Sequence, residues 1–160
     1  YKSIVISLYY TMKTYNLTNT YWALILPQIG LSIPFSIFWL RASFKAIPIS
    51  LSEAAMLEGA GRITILTKIL IPQMIPAILT LTVLLFMWTW NEFLLALIMI
   101  QDADMRTAPL ALSYFAGNKR YGDPAITAAA AIWVALPVLI MYIFLQRRFI
   151  SGMVTGAVKE

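Results

Sequence analysis

The sequence predicts an all-α, polytopic membrane helix bundle, and its composition and hydropathy are the observations that predict it. Of the 160 residues, 61% are hydrophobic and only 12% are charged, and the mean hydropathy is +0.79. That much apolar surface exceeds what one soluble core of this size could bury, so the bilayer is the expected solvent. The apolar residues are also grouped into runs of about twenty, the length that spans a hydrocarbon core as a helix.

Three full spans are predicted, at about residues 21–40, 77–100 and 125–145. The first contains no charge and the third is followed by two arginines. An earlier apolar run, residues 4–12, covers only about half of a bilayer core and is interpreted as the end of a fourth helix. We therefore interpret residues 1–160 as the C-terminal part of one transmembrane domain.

The distribution of Lys and Arg predicts which connections face the cytoplasm. Loop 41–76 and the tail 146–160 together hold seven of these residues, whereas the turn 11–20 and loop 101–123 hold four. Positive charge is enriched on the cytoplasmic side of membrane proteins. Loop 41–76 and the tail are accordingly predicted to be cytoplasmic, and loop 101–123 to be external.

The residue inventory excludes several classes of function. The chain has no Cys and no His, which excludes disulfide frameworks, Cys or His metal sites and His-dependent nucleophiles. No Gly-rich phosphate loop is present, and the basic residues flank apolar spans instead of forming a nucleic-acid-binding face. No catalytic residue, metal site or nucleic-acid partner is therefore predicted, and the chain is not expected to be an enzyme.

The cytoplasmic loop has a helical pattern of its own. Ser50 and Glu53 have the spacing of a capping box, in which the hydroxyl and the carboxylate satisfy each other's backbone N–H groups. Helix-forming residues follow, and Gly59 stands where a left-handed helix end is expected.

A second loop helix is predicted from about residue 62 to residue 71, with Pro72 and Pro76 ending it. The loop is therefore predicted to be a helix–turn–helix. A short helix held beneath a membrane bundle can pass a rigid-body push from a soluble partner to the spans, and small alanines let that partner approach its backbone.

Three motifs in order carry a family resemblance that covers the chain from about Leu17 to its end. Glu53-Ala54-Ala55, three residues, Gly59, nine residues, Ile69 and then Pro72 resemble the EAA loop of ABC-importer permeases, with Ile71 where that pattern has Leu. The carbohydrate-uptake, maltose-permease-like branch is similar in two further stretches, Trp90-Asn91-Glu92-Phe93 and Gly156-Ala157-Val158-Lys159. Glu58 stands in place of that branch's Asp before the loop glycine.

The resemblance implies a sugar-importing permease subunit in a bacterial inner membrane. Its loop helix 53–59 would dock on a dimer of cytoplasmic ABC ATPase subunits, where ATP and Mg would be bound, and this chain would bind no cofactor itself. The implied coupling residues are Glu53, Ala54, Ala55, Glu58 and Gly59. Other implied partners are a second, related permease subunit, an extracytoplasmic solute-binding protein and membrane lipids. A purely capping role for Glu53 is the alternative, and the two roles are compatible.

A polar group within the predicted second span is a candidate substrate path. Glu92 would lie inside the membrane, where an ionisable group is costly and usually faces the protein interior or a water-filled path. With Trp88, Trp90 and Asn91, it provides aromatic faces beside polar groups, which suit a sugar. The alternative is that Asn91 and Glu92 only bond neighbouring helices.

Other functions remain open from sequence alone. The solute could be a glycerol phosphate instead of a sugar. An ion-coupled secondary transporter using Glu92 is disfavoured, because only one intramembrane charge is visible. A non-transporting scaffold would have no need of a coupling helix.

Overall fold

The structure is a computed structural model that describes residues 2–117 and 123–157. Every regular element in that part of the chain is a helix, so the predicted all-α class is confirmed. The helices are α1 (Lys2–Thr14), α2 (Trp22–Lys45), α3 (Ile49–Leu57), α4 (Arg62–Ile65), α5 (Ile71–Trp90), α6 (Leu94–Met99), α7 (Ala108–Gly117) and α8 (Pro124–Ala157). A π-helical turn, Leu66–Leu70, joins α4 to α5, and a 3-10 turn, Ala103–Met105, precedes α7.

Three helical stretches are long and apolar enough to cross a membrane: Trp22–Lys45, Arg62–Trp90 and Pro124–Ile143. At about 1.5 Å per residue, even the shortest of them extends about 30 Å, the thickness of a hydrocarbon core. Between 0% and 17% of each apolar window is buried within the structure. Most of their apolar surface is thus left for lipid or further helices, as expected of a polytopic membrane protein.

The second of these helices begins and ends earlier than the sequence predicted. The sequence predicted a loop helix ended by Pro72 and Pro76, followed by a separate second span from residue 77. The structure instead has one continuous helix over Arg62–Trp90. Both prolines lie within α5. Membrane helices tolerate proline because local π-helical adjustments and neighbouring groups satisfy the freed backbone. Here the π-helical turn directly precedes the proline pair.

The last helix extends further than predicted. The third span was expected to end at residue 145, but α8 continues to Ala157. The predicted external loop 101–123 contains the 3-10 turn and α7, and its residues 118–122 lie outside the described part of the chain. So do residues 158–160 of the predicted tail.

The described residues form two compact units. The first comprises the chain up to Ser32 together with Phe86–Tyr142, and α1 packs against α6 within it. Its buried cluster consists of Val5, Met12, Ala23, Leu24, Leu95, Ala96, Met99, Ile100 and Leu110. This core fixes the position of the short α6.

The second unit comprises Ile33–Leu85 and the chain from Ile143 onward. Within it, α3 is in contact with α4, and each contributes a buried residue, Ala55 and Ile65 respectively. The indole Nε1 of Trp39 donates a hydrogen bond to the carbonyl oxygen of Ala77 at 3.1 Å. This bond joins α2 to α5, the two helices that flank the predicted coupling loop.

Candidate coupling helix and polar helix break

The coupling helix α3 begins without the predicted capping box. Pro48, with φ −59° and ψ 130°, precedes its first residue, and no side chain caps that end. The Pro48 carbonyl accepts a hydrogen bond from the Leu51 N–H. Because the proline starts the helix at Ile49, Ser50 lies inside the first turn and not at the capping position. The capping-box prediction for Ser50 and Glu53 is therefore wrong.

The predicted left-handed helix end at Gly59 is confirmed. Gly59 has φ +82°, and its N–H donates to the Met56 carbonyl at 3.0 Å. The next N–H, of Ala60, donates to the Ala55 carbonyl at 2.9 Å. This pair of bonds is the Schellman motif, which satisfies the last carbonyls of a helix and fixes the direction in which the chain leaves it.

All five predicted coupling residues lie on α3 or in the turn that ends it, but they do not share one face. Glu53, Ala54, Glu58 and Gly59 are exposed. The side chain of Ala55 is buried, with 7% of its surface exposed. The structure therefore leaves four of the residues accessible to a partner and uses Ala55 within the second unit.

Sequence reasoning missed the most exposed apolar side chains of α3. Leu57 is 91% exposed and Ile49 is 75% exposed. Their spacing of four residues on either side of Glu53 places the three on one side of a helix. The four-residue spacing can be read from the sequence. Ile49 belongs to the helix only because the structure begins α3 at that residue.

The predicted substrate-path residues lie at a break between two helices. Glu92 was predicted to lie inside a continuous span, but α5 ends at Trp90 and α6 begins at Leu94. The side-chain amide of Asn91 donates to the Met87 carbonyl at 2.8 Å. Such bonds compete with regular helical geometry, and the helix stops there.

Hydrogen bonds account for the positions of the polar groups at this break. Oε1 of Glu92 accepts from the Leu95 N–H at 2.7 Å, which satisfies a backbone donor in the first turn of α6. Its backbone carbonyl accepts from Oγ1 of Thr107 at 2.9 Å. The Thr107 contact was missed, because nothing in the sequence pairs two residues that are fifteen positions apart.

The two tryptophans at the break differ in environment. Nε1 of Trp90 donates to the Val134 carbonyl at 2.9 Å, and its ring stacks on Phe86 with 5.7 Å between centroids. Trp88 has 53% of its surface exposed. The structure thus brings the four predicted residues together and gives Trp90, Asn91 and Glu92 structural partners, while a sugar-binding role for the group stays a prediction.

The loop after α6 contains a second set of contacts that the sequence did not indicate. Oδ1 of Asn19 accepts hydrogen bonds from the N–H groups of Gln101 and Asp102, each at 2.9 Å. The Asn19 N–H donates to the Met99 carbonyl, also at 2.9 Å.

Among the described residues, no three His, Cys, Asp or Glu side chains form a cluster suited to a metal ion.

Comparison with known proteins identifies the family. The chain is 34% identical to the trehalose transport system permease protein SugB of Mycobacterium tuberculosis, with 98% of the chain and 58% of that protein covered. It is 36% identical to the trehalose/maltose transport system permease protein MalG of Thermococcus litoralis, over 88% of the chain and 51% of that protein. The diacetylchitobiose uptake system permease protein DasC of Streptomyces coelicolor is 32% identical, over 98% of the chain and 56% of its own length.

The chain thus spans between 51% and 58% of the length of these three relatives. Residues 3–154 match the family described as "Binding-protein-dependent transport system inner membrane component". This match covers nearly the whole chain and includes α3 and the polar helix break. The chain therefore belongs to the family of binding-protein-dependent transport system inner membrane components.

Proposed function

We propose that this chain forms part of a permease subunit of an ATP-driven importer for a sugar or oligosaccharide. The three relatives are named for the transport of trehalose, trehalose and maltose, and diacetylchitobiose. All of these are carbohydrates, which favours a carbohydrate over a glycerol phosphate as the solute. The family is one of transport components, so ATP hydrolysis and its Mg are assigned to a partner subunit.

The observation that carries the proposal is the way α3 leads into a membrane-spanning helix. Its C-terminal end is fixed by the Gly59 turn, and the chain then enters a helix that runs without interruption over Arg62–Trp90. Displacement of α3 by a docked ATPase would therefore reach α5 through a short, hydrogen-bonded turn. The Trp39–Ala77 hydrogen bond would pass the same displacement to α2.

The proposed assembly is a multi-pass protein in a bacterial inner membrane, with α3 on the cytoplasmic side. Its partners are a dimer of ABC ATPase subunits, a second, related permease subunit and an extracytoplasmic solute-binding protein. The excess of Lys and Arg in loop 41–76 and the tail supports this orientation.

Thiol chemistry tests the orientation and the ATPase contact. Because the chain has no Cys, Ala54→Cys and Ala103→Cys each place one reactive thiol at an exposed position. In sealed cells, a membrane-impermeant maleimide should label Cys at position 103 only. In the assembled transporter, a bifunctional thiol cross-linker should join position 54, and not position 103, to the ATPase subunit. Labelling of position 54 from outside would contradict the proposal.

Uptake by proteoliposomes tests the solute class. With the solute-binding protein outside and ATP inside, radiolabelled trehalose, maltose and diacetylchitobiose are supplied in turn, and glycerol 3-phosphate serves as the alternative. At least one of the sugars should accumulate only when ATP is present. Accumulation of glycerol 3-phosphate alone would move the assignment to a non-sugar solute.

A further inference from the structure

A cleft of about 290 Å³ lies between the C-terminal end of α2, the N-terminal end of α3 and the π-helical turn. All the residues that line it belong to the second unit. Apolar side chains, among them Phe44, Ile47 and Leu70, form most of the lining, and Lys45 and Ser52 supply polar groups. We call it the interfacial cleft. Its volume is close to the lower limit of small-molecule sites, about 300 Å³, and suits the head of a lipid whose chains remain in the bilayer.

Two walls of the interfacial cleft lie at different depths in the membrane. The uncharged residues 21–40 are enough to cross a hydrocarbon core, so Lys45, five residues after that run, lies about 7 Å beyond the core, in the headgroup layer. Leu70 follows Lys68, and the next charged residue in the chain is Glu92, so Leu70 lies at the edge of the core. The cleft therefore combines a cation at headgroup depth with an apolar wall at the depth where acyl chains begin.

The electrostatics of the interfacial cleft favour an anionic head. Among the described residues that line it, Lys45 is the one charged side chain. Within the described part of the chain, no group forms a hydrogen bond or ion pair with the Lys45 ammonium or the Ser52 hydroxyl. The loop carboxylates, Glu53 and Glu58, are exposed and lie outside the lining. Phosphate oxygens accept charge-assisted bonds from an ammonium group, and basic pockets between membrane helices bind anionic headgroups.

We propose that the interfacial cleft binds one anionic phospholipid in the leaflet next to loop 41–76. Its phosphate would accept bonds from the Lys45 ammonium and the Ser52 hydroxyl, and the beginning of its acyl chains would pack against Phe44 and Leu70. The lipid would then contact α2, α3 and the π-helical turn together, and would hold the start of α3 against the end of a spanning helix. This role goes beyond the proposed transport function and does not depend on the solute.

Photolabelling locates the lipid. The assembled transporter is placed in nanodiscs of phosphatidylethanolamine with a small proportion of phosphatidylglycerol, which carries a photoreactive group near the head end of one acyl chain. Peptides that contain residues 44–52 or Leu70 should be labelled. Excess unlabelled phosphatidylglycerol should remove the label, whereas the same excess of phosphatidylethanolamine should not. Absence of label from these peptides, or equal competition by the two lipids, would overturn the inference.

Substitutions test the cation and the cleft separately, with the Kd of phosphatidylglycerol measured by native mass spectrometry of the transporter in detergent. Lys45→Gln should raise the Kd about tenfold, and Lys45→Arg should stay within about threefold. Ser52→Leu fills the cleft without changing the charge and should also weaken binding. Lys68→Gln is the matched control, because it removes the same charge from an exposed position outside the lining. It should stay within about twofold.

Two further outcomes would contradict the proposal. Equal losses for Lys45→Gln and Lys68→Gln would show that the lipid responds to the overall charge of the loop and not to this cleft. Displacement of phosphatidylglycerol by millimolar inorganic phosphate would assign the cleft to a soluble anion instead of a lipid. Either result leaves the cross-linking of position 54 to the ATPase subunit unaffected, so failure of this inference is distinct from failure of the proposed function.

Discussion

The indole of Trp90 donates a hydrogen bond to the backbone carbonyl of Val134 at 2.9 Å, which joins the last residue of α5 to the N-terminal third of α8. The same ring stacks on Phe86, one turn earlier in α5. Trp90 is therefore held by two contacts at the point where α5 ends. Its position next to the Asn91–Phe93 break makes it a structural support for this region as well as a candidate for sugar contact.

Replacement of Trp90 separates these two roles. Trp90→Phe removes the hydrogen bond and keeps an aromatic ring, so the free energy of unfolding in detergent micelles should fall by about 1 kcal/mol. Trp90→Ala also removes the packed ring and should cost about 3 kcal/mol or more. In a structural role, Trp90→Phe leaves the KM for sugar uptake within about twofold. A KM that rises tenfold with no loss of stability would instead indicate that Trp90 contacts the sugar.

The break between α5 and α6 was not predicted from the sequence. Hydropathy treats residues 77–100 as one apolar run, because Asn91 and Glu92 are too few to lower the average. The break depends on particular hydrogen bonds: the Asn91 amide to Met87, and the first turn of α6 to Glu92. Two further bonds at the break, from Thr107 to the Glu92 carbonyl and from Trp90 to the Val134 carbonyl, involve residues that are distant in the chain. The residue types in this region predicted a candidate substrate path, but they did not predict that the helix ends there.

The turn at Gly59 gives a second prediction. Because a Cβ at Gly59 would meet no atom within 4 Å, the cost of Gly59→Ala comes from its positive φ alone and should be about 1–2 kcal/mol. We expect ATPase stimulation by the solute-binding protein to fall more than assembly does. Gly59→Asn should be milder, because Asn tolerates this conformation better than Ala.

Gly61→Ala is the matched control for this experiment. Gly61 lies two residues further on, also has open space around it, and has an ordinary φ of −70°. In the Gly61→Ala variant, stimulation of the ATPase by the solute-binding protein should remain nearly as strong as in the unaltered protein. Equal losses for the two alanine variants, or a loss of assembly that matches the loss of stimulation, would show that the left-handed turn does not set the coupling geometry.

The two ends of α3 explain why one could be predicted and the other could not. A left-handed helix end is a local requirement that Gly meets at little cost, so the sequence alone places it at Gly59. The start is ambiguous, because Pro48 and the Ser50–Glu53 pair match different start signals and place the first turn at different residues. Proline restricts its own φ and so sets the start, which makes the Ser50 hydroxyl irrelevant as a cap.

Substitutions at Glu92 test whether transport is driven by ATP or coupled to an ion. Glu92→Gln keeps an oxygen that can accept the Leu95 N–H bond, so stability should fall by less than about 1 kcal/mol and ATP-dependent uptake should continue. Glu92→Ala leaves that donor without its acceptor and should cost about 1 kcal/mol or more. Both are measured in proteoliposomes with and without a proton ionophore. Uptake that is abolished in Glu92→Gln and by the ionophore would favour an ion-coupled carrier.

Asn19 and Asn16 form a matched pair that isolates the contacts of the loop after α6. Both have positive φ, +57° and +54° respectively, so glycine fits either position without backbone strain. Asn19→Gly removes the oxygen that accepts from Gln101 and Asp102, and we expect a loss of about 1–2 kcal/mol for the two exposed bonds. Hydrogen exchange at those two amides should accelerate in Asn19→Gly and remain unchanged in Asn16→Gly. Equal exchange rates in the two variants would mean that the Asn19 side chain does not hold this loop.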